Sequence, residues 1–127
     1  GMTGGQMAPT TLIGEKPTTS PYGRTAERNG NPIRICEMLS TLDGPSFIAR
    51  VSVHDVKNVL NAKKVIAKAF EHQAEGKGLS LVEVLSTCPT NWGKSPIDAI
   101  QWLKENMMAY YPVGVYVDKT GEGSDAK

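Results

Sequence analysis

Two short apolar runs and the amphipathic stretch between them organise the predicted fold. Residues 79–85 are nearly continuous in apolar side chains, and residues 47–53 are rich in β-branched ones. Such runs predict strands buried on both faces, which favours a parallel sheet. From Val56, after the capping residue Asp55, apolar positions recur at helical spacing. They are Val59, Leu60, Ile66, Ala67 and Phe70. The order strand, helix, strand predicts a right-handed crossover between parallel neighbours.

Three further elements are predicted outside this unit. One helix spans residues 33–42, and another begins at Pro96, because Ser95 offers an N-cap hydroxyl and Asp98 completes a capping-box pattern. The apolar faces of these helices are formed by Ile35, Met38, Leu39 and Leu42 in the first and by Ile97, Ile100, Leu103 and Met107 in the second. Residues 113–117 are predicted to form a short last strand.

The pattern as a whole predicts the α/β class, with a short, mostly parallel sheet and flanking helices in residues 31–117. Residues 1–30 have no regular period and are rich in Gly, Pro and Thr, so they form either a binding loop that faces a cofactor or partner or a disordered segment. Residues 118–127 are predicted to be a flexible tail. Two or three strands make a thin sheet, and both buried strands require neighbours that this chain barely supplies.

Composition narrows the function classes only slightly. At 127 residues the chain has room for one domain, and 14 basic against 13 acidic side chains give a charge of +1. No strong field therefore attracts nucleic acid or an anionic membrane. Without a membrane-length apolar run or a signal-peptide pattern, a cytoplasmic location is expected. The two cysteines are then expected to be free thiols, or one a metal ligand, rather than a disulfide.

Chemistry in an open parallel sheet is expected beyond the carboxyl ends of the strands, which assigns residues 86–93 to the ligand crevice. Cys88 precedes a proline in this turn, where a thiolate can ligate a metal, and a structural thiol is the alternative. Trp92 in the same turn could stack on a ring or on a partner protein. Cys36 lies on the apolar side of its helix and is predicted to be in the core.

The remaining ionisable candidates have simpler interpretations. His54 at a strand–helix junction and His72 on a lysine-rich helix are predicted to have helix-end and surface roles, since neither has an evident catalytic partner. Glu83 lies inside an apolar strand, where a carboxylate needs a cation or several donors. We expect it to pair with Arg50 on the neighbouring strand or to face a subunit interface.

A glycine pair gives the second candidate segment. Thr3-Gly4-Gly5-Gln6 lets backbone amides approach an anion closely, with a flexible leader as the alternative. Together with Leu42-Asp43-Gly44 and with residues 81–92, above all Cys88-Pro89-Thr90-Asn91, it closely resembles the thiamine-diphosphate-binding β subunit of 2-oxoacid:ferredoxin oxidoreductases. The 2-oxoglutarate and branched-chain 2-ketoacid branches are most similar, and the resemblance is collinear from Gly1 to about Val117.

This resemblance implies the carboxyl-terminal half of an α/β thiamine-diphosphate domain. It implies oxidative decarboxylation of a 2-oxoacid with coenzyme A, with thiamine diphosphate, Mg²⁺ and a [4Fe-4S] cluster that passes electrons to ferredoxin. The implied partners are an α subunit and smaller γ or δ subunits. Thr3, Gly4, Gly5 and Gln6 match the loop that lies against the diphosphate and the reacting end of the cofactor. Cys88 matches the cysteine that supplies the fourth iron ligand.

The departures from the family pattern lead to two hypotheses. The family's magnesium-binding segments and its paired Cys-x-x-Cys have no counterpart in the sequence, so we expect the chain alone to be inactive and to bind thiamine diphosphate weakly or not at all. Either it is part of an oxidoreductase β subunit, or it is a non-catalytic binding or assembly module that docks through its sheet edge and residues 7–30. The Thr-Gly-Gly-Gln segment and Cys88 favour the first, since docking needs neither.

Overall fold

A computed structural model describes residues 2–120 and has the predicted α/β class. The strands are β1 (Met2–Thr3), β2 (Gln6–Met7), β3 (Pro45–Ser52), β4 (Leu79–Leu85) and β5 (Gly114–Asp118). The helices are α1 (Ala26–Asn29), α2 (Ile35–Leu39), α3 (Val56–Ala74), α4 (Pro89–Trp92), α5 (Pro96–Trp102) and α6 (Met108–Tyr110). A π-helical segment, Leu103–Met107, joins α5 to α6.

The main sheet has three strands in the order β4-β3-β5. β3 and β4 are joined through α3 and are parallel neighbours, as predicted. β5 returns antiparallel to β3 on its other side, so the three-stranded sheet is mixed. β1 and β2 form a separate two-stranded hairpin.

The two long strands differ in how much of each is covered. Every residue of β3 is buried, as its apolar run predicts. β4 has the predicted bounds. The prediction that it is buried on both faces is wrong. Leu79 is 51% exposed and Val84 is 42% exposed, because β4 lies at the edge of the sheet.

Helix α3 begins where the sequence indicates, but buries a different face. Asp55 caps it, since its Oδ1 accepts a hydrogen bond from the backbone N of Asn58 at 2.8 Å. The predicted apolar stripe is largely exposed, reaching 71% at Phe70. The buried residues are Ala62 and His72 instead, and the surface prediction for His72 is therefore wrong. Ile66 and Phe70 of this stripe lie beside the edge strand β4, where they line an open groove with Val82 and Val84.

The other helices show the same mixture of confirmed caps and shifted faces. α2 is shorter than predicted and buries Cys36 completely, as expected, whereas Met38 and Leu42 are exposed. Ser95 caps α5 through a hydrogen bond from the backbone N of Asp98 at 3.2 Å. Ile97 is 79% exposed. Leu103 and Met107, the last two residues of the apolar face predicted for this helix, are in the core. They belong to a cluster that comprises Leu12, Leu85, Leu103, Met107 and Tyr111.

The two ends of the chain contain more structure than the sequence indicates. Residues 1–30 include the β1–β2 hairpin and the single turn of α1. β5 extends one residue past its predicted end, to Asp118, and the backbone N of Lys119 donates to the carbonyl of Ser46 at 2.9 Å. Residues 121–127 of the predicted tail lie outside the described part of the chain.

Candidate functional site

The glycine pair forms the turn of the β1–β2 hairpin. Thr3 pairs with Gln6, and Gly4 and Gly5 between them have φ values of 54° and 78°. Positive φ at both central residues is what a two-residue type I′ hairpin requires, so glycines are favoured there without any ligand. The two positions differ in their surroundings. A Cβ at Gly4 would meet nothing within 4 Å, whereas one at Gly5 would lie 3.0 Å from Asn91 Oδ1 and 3.0 Å from Thr18 Oγ1.

The Cys-Pro-Thr-Asn turn lies directly against this hairpin. Cys88 precedes the single turn of α4, and its carbonyl accepts a hydrogen bond from the backbone N of Trp92 at 3.0 Å. The side chain of Asn91 contacts the Gly5 position and also donates from Nδ2 to Cys88 Sγ at 3.0 Å. Asn91 therefore connects the two candidate segments, which are more than eighty residues apart in the sequence.

Glu15 holds α4 from the other side. Its Oε1 accepts a hydrogen bond from Trp92 Nε1 at 2.9 Å, and its Oε2 accepts one from the backbone N of Leu12 at 2.9 Å. The ring of Trp92 packs on that of Trp102 with centroids 4.4 Å apart. These residues form one wall of an open cleft of about 410 Å³ beside the hairpin residue Met2.

Arg24 organises the irregular segment that supplies Glu15 and Thr18. It is 5% exposed, and its guanidinium donates to six backbone carbonyls at 2.9–3.2 Å. The acceptors are the carbonyls of Ala8, Pro9, Thr11, Asn29, Gly30 and Asn31. Backbone carbonyls that no helix or strand partner satisfies need other donors, and one side chain binds six of them here. The sequence offered no signal for this role.

A second polar cluster lies under the sheet, and it confirms the predicted pairing of Glu83 with Arg50. Arg50 Nε donates to Glu83 Oε2 at 2.6 Å, and the guanidinium also binds both oxygens of Glu37, at 3.0 and 2.6 Å. These hydrogen bonds from Arg50 lower the pKa of Glu37. Cys36 Sγ donates to Glu83 Oε2 at 3.2 Å. Burial, followed by this hydrogen bond, raises the pKa of Cys36 to about 12, so its thiol stays protonated and unreactive at neutral pH.

Both histidines have structural partners. His54 Nδ1 lies 2.7 Å from Ser52 Oγ and its Nε2 lies 3.2 Å from Asp55 Oδ2, at the start of α3, as the helix-end prediction requires. His72 is buried beside Phe47, with Nδ1 3.3 Å from Ser46 Oγ. Ser46 is itself completely buried, so it cannot serve as a nucleophile for a substrate.

Metal ligands are sparse in the described part of the chain. Within residues 2–120 there is no group of three or more His, Cys, Asp or Glu side chains that could hold a metal ion. A [4Fe-4S] cluster takes four thiolates, and Cys88 can provide one. None of the helices in this range combines the length and the apolar character needed to cross a bilayer.

The structure thus brings together two of the predicted site residues, Gly5 and Cys88. The side chain of Asn91, which the sequence analysis did not single out, lies between them. Asn91 was visible within the Cys-Pro-Thr-Asn segment, but nothing in its spacing marked it as the contact. Glu15 and Arg24 lie in the segment without a periodic pattern, where long-range contacts leave no local trace.

Comparison with known proteins shows similarity to oxidoreductase subunits. The chain is 48% identical over 122 residues to ketoisovalerate oxidoreductase subunit VorA of Methanothermobacter marburgensis, covering 96% of this chain and 26% of that subunit. It is 39% identical over 112 residues to 2-oxoglutarate synthase subunit KorB of Methanocaldococcus jannaschii, covering 84% and 37%. It is 39% identical over 90 residues to the 2-oxoacid:ferredoxin oxidoreductase subunit beta of a Sulfolobus species, covering 71% and 26%.

The chain spans about a quarter to a third of the length of these relatives, rather than half. No family model matches the chain. No solved structure matches it either.

Proposed function

Because this chain belongs to the family of 2-oxoacid oxidoreductase subunits and aligns with part of their length, we propose that it forms part of the thiamine-diphosphate-binding β subunit of a 2-oxoacid:ferredoxin oxidoreductase. The complete enzyme releases the carboxylate of its substrate as CO₂ and joins the acyl group to the thiol of coenzyme A. The electron pair that this oxidation frees passes to ferredoxin. An α subunit and smaller subunits complete the assembly, in the cytoplasm.

One observation carries the proposal. The hairpin and the Cys88 turn meet through Asn91, with Gly5 as close as a residue without a Cβ allows. A hairpin turn alone explains both positive φ values, but it does not explain why the turn is placed against a cysteine. The contact supports a shared site in which the cofactor loop and the cluster ligand are neighbours.

The described residues fit thiamine diphosphate in part. The open space at Gly4 leaves one side of the turn accessible, so an anion can approach the backbone there. Thr3, Gly4, Gly5 and Gln6 are the residues that would lie along the diphosphate, while Gly5 lies close to the side chain of Asn91. When bound, the cofactor supplies the stabilisation of a carbanion at the reacting carbon. The chain's own part is to hold the loop and to keep its glycines open.

The described residues do not fit Mg²⁺ or an iron–sulfur cluster by themselves. No carboxylate lies in the hairpin, and Cys88 is one thiol where four are needed. The remaining ligands must come from polypeptide outside residues 2–120. We therefore expect this chain alone to have no oxidoreductase activity and to bind thiamine diphosphate weakly or not at all.

The test replaces the matched segment of intact VorA with this chain and measures cofactor binding and iron. We expect magnesium-dependent binding of thiamine diphosphate by the hybrid subunit, and a lower iron content after Cys88→Ser. Cys36→Ser is the matched control, because that thiol is buried against Glu83 and is expected to leave the iron content unchanged. Unchanged iron in Cys88→Ser would remove the ligand assignment.

A further inference from the structure

The open cleft beside the hairpin is lined by both tryptophans of the chain. Trp92 and Trp102 are half-buried, and their rings meet at 48° with centroids 4.4 Å apart. The hydrogen bond from Trp92 Nε1 to Glu15 Oε1 fixes the orientation of one ring. The cleft therefore has an aromatic wall on which a flat ring of a ligand can stack.

Two lysines line the same cleft. Lys16 lies in the irregular segment and Lys94 follows α4, and both are exposed. Within residues 2–120, neither lysine forms a salt bridge. The carboxylate that lines the cleft, that of Glu15, already accepts hydrogen bonds from Trp92 Nε1 and from the backbone N of Leu12. The charges of the cleft therefore favour an anionic group in the ligand.

The size and the remaining lining of the cleft suit a small molecule. Its volume of about 410 Å³ lies within the usual range for such sites, roughly 300–1,000 Å³. Met2, Leu12 and Ile13 add apolar surface to the aromatic wall. A mainly apolar cleft with a few charged groups is typical of a site that binds an organic ligand rather than a free ion.

We propose that this cleft binds a nucleotide, whose base stacks on the tryptophan wall and whose phosphates are held by Lys16 and Lys94. A nucleotide joins a flat ring to negative charge, and each half has a counterpart in the lining. A neutral ring uses the wall alone, and inorganic phosphate uses the lysines alone. Two sources share this chemistry: a free nucleotide such as ADP, and the nucleotide end of coenzyme A.

The nucleotide site does not depend on Cys88 or on thiamine diphosphate. Only the choice of coenzyme A as the source rests on the proposed function. The titrations below measure neither cofactor nor iron. A hybrid subunit that failed to bind thiamine diphosphate can still bind a nucleotide in the cleft, and the reverse also holds, so the two proposals fail separately.

Tryptophan fluorescence tests the cleft directly, because the sequence has no tryptophan outside it. The emission is excited at the red edge of tryptophan absorption, where adenine does not absorb. We expect ADP to quench it saturably with a Kd of about 1 mM or lower, and adenosine to bind about tenfold more weakly. Added salt should weaken the binding of ADP but not that of adenosine. No saturable quenching by ADP, or equal affinity for ADP and adenosine, would overturn the proposal.

Substitutions of single lysines locate the phosphate-binding half of the site. Lys16→Gln and Lys94→Gln should each weaken the binding of ADP about threefold or more and leave that of adenosine unchanged, because each removes one charge. Lys64→Gln is the matched control, since Lys64 is exposed on α3, a helix that does not line the cleft. Equal effects of the three substitutions, or none at Lys16 and Lys94, would contradict the proposal.

Calorimetric titrations extend the test to the hybrid subunit described above. There, the double variant Lys16→Gln, Lys94→Gln should weaken the binding of ADP about tenfold or more. An unchanged affinity would mean that the rest of the subunit covers the cleft, and it would overturn the proposal.

The source of the nucleotide is decided by titrating this chain with coenzyme A and with ADP in parallel. Coenzyme A that binds about tenfold or more tightly than ADP would identify the nucleotide end of the co-substrate as the ligand. A smaller difference, or weaker binding of coenzyme A, would identify a free nucleotide. Both results support a nucleotide site in the cleft.

Discussion

At the scale of single residues, Arg24 has the largest structural role that the sequence did not reveal. Its six carbonyl acceptors lie in two stretches, residues 8–11 and 29–31, which it draws together. The segment between them contributes Glu15 to Trp92 and Thr18 to the hairpin. The position of the candidate site therefore depends on a buried charge bound to backbone dipoles.

Replacing Arg24 by Lys should lower the free energy of unfolding by about 2 kcal/mol or more, because three donors on a flexible stem cannot satisfy six carbonyls. Urea unfolding followed by circular dichroism measures the loss. Arg28→Lys is the control, since Arg28 is exposed on the neighbouring turn of α1. If the two variants were equally stable, the hydrogen bonds of Arg24 would not be holding the segment.

The ion pair of Glu37 with Arg50 should make the stability of the chain depend on pH. Its hydrogen bonds from Arg50 lower its pKa in the folded state. The associated stability is therefore present above the unfolded value of about 4.3 and is lost as pH falls through the lower folded pKa. In urea unfolding at a series of acidic pH values, the parent should lose stability more steeply than Glu37→Gln. Parallel curves for the two proteins would argue against the pairing.

At the scale of elements, the β1–β2 hairpin is determined locally but placed by a distant contact. Type I′ geometry requires positive φ at both central positions, which favours glycine there. Only Gly5 also lies in contact with Thr18 and Asn91. The turn type can therefore be inferred from the glycine pair, whereas its docking on the Cys88 turn cannot.

Gly4→Ala and Gly5→Ala separate these two effects. Both place a Cβ at positive φ, but only the second also forces contacts of 3.0 Å with Asn91 and Thr18. We expect Gly5→Ala to destabilise the chain by about 1–3 kcal/mol more than Gly4→Ala in denaturant unfolding. Equal losses would mean that strain in the turn, and not the contact with Asn91, decides the cost.

At the scale of the whole molecule, the buried apolar side chains are those of β3 and of the cluster around Leu103, and the apolar stripe of α3 is not among them. Phe47 is 1% exposed and Phe70 is 71% exposed, although both belong to strongly apolar patterns. Phe70 lies beside the edge strand β4, and no further strand within residues 2–120 covers it there. For the same reason, β4 combines the composition of an interior strand with the exposure of an edge strand.

The two phenylalanines therefore predict opposite results in the isolated chain. Phe47→Ala should lower the free energy of unfolding by about 3–5 kcal/mol, since it leaves a cavity in the core. Phe70→Lys should change it by less than about 0.5 kcal/mol, as for other exposed positions. Thermal unfolding of both variants measures the difference. A large loss in Phe70→Lys would place that side chain in the core of the isolated chain.

Helix caps, strand bounds and the connection between strands could be predicted from the sequence, because each depends on residues close together in the chain. The caps at Asp55 and Ser95, the bounds of β4 and the parallel crossover follow from adjacent side chains and from periodicity. The pairing of Glu83 with Arg50 could also be predicted, because a carboxylate within an apolar strand has few ways to be stabilised.

The tertiary structure alone decided which apolar faces are covered and which distant segments meet. The burial of His72, the exposure of Phe70 and the contact of Asn91 with Gly5 depend on how wide the sheet is and on how residues 8–31 fold around Arg24. Periodicity identifies which side chains share a face of a helix or strand. It does not indicate how large the surface is against which that face packs. That size is set by strand pairing and long-range packing, to which all parts of the chain contribute.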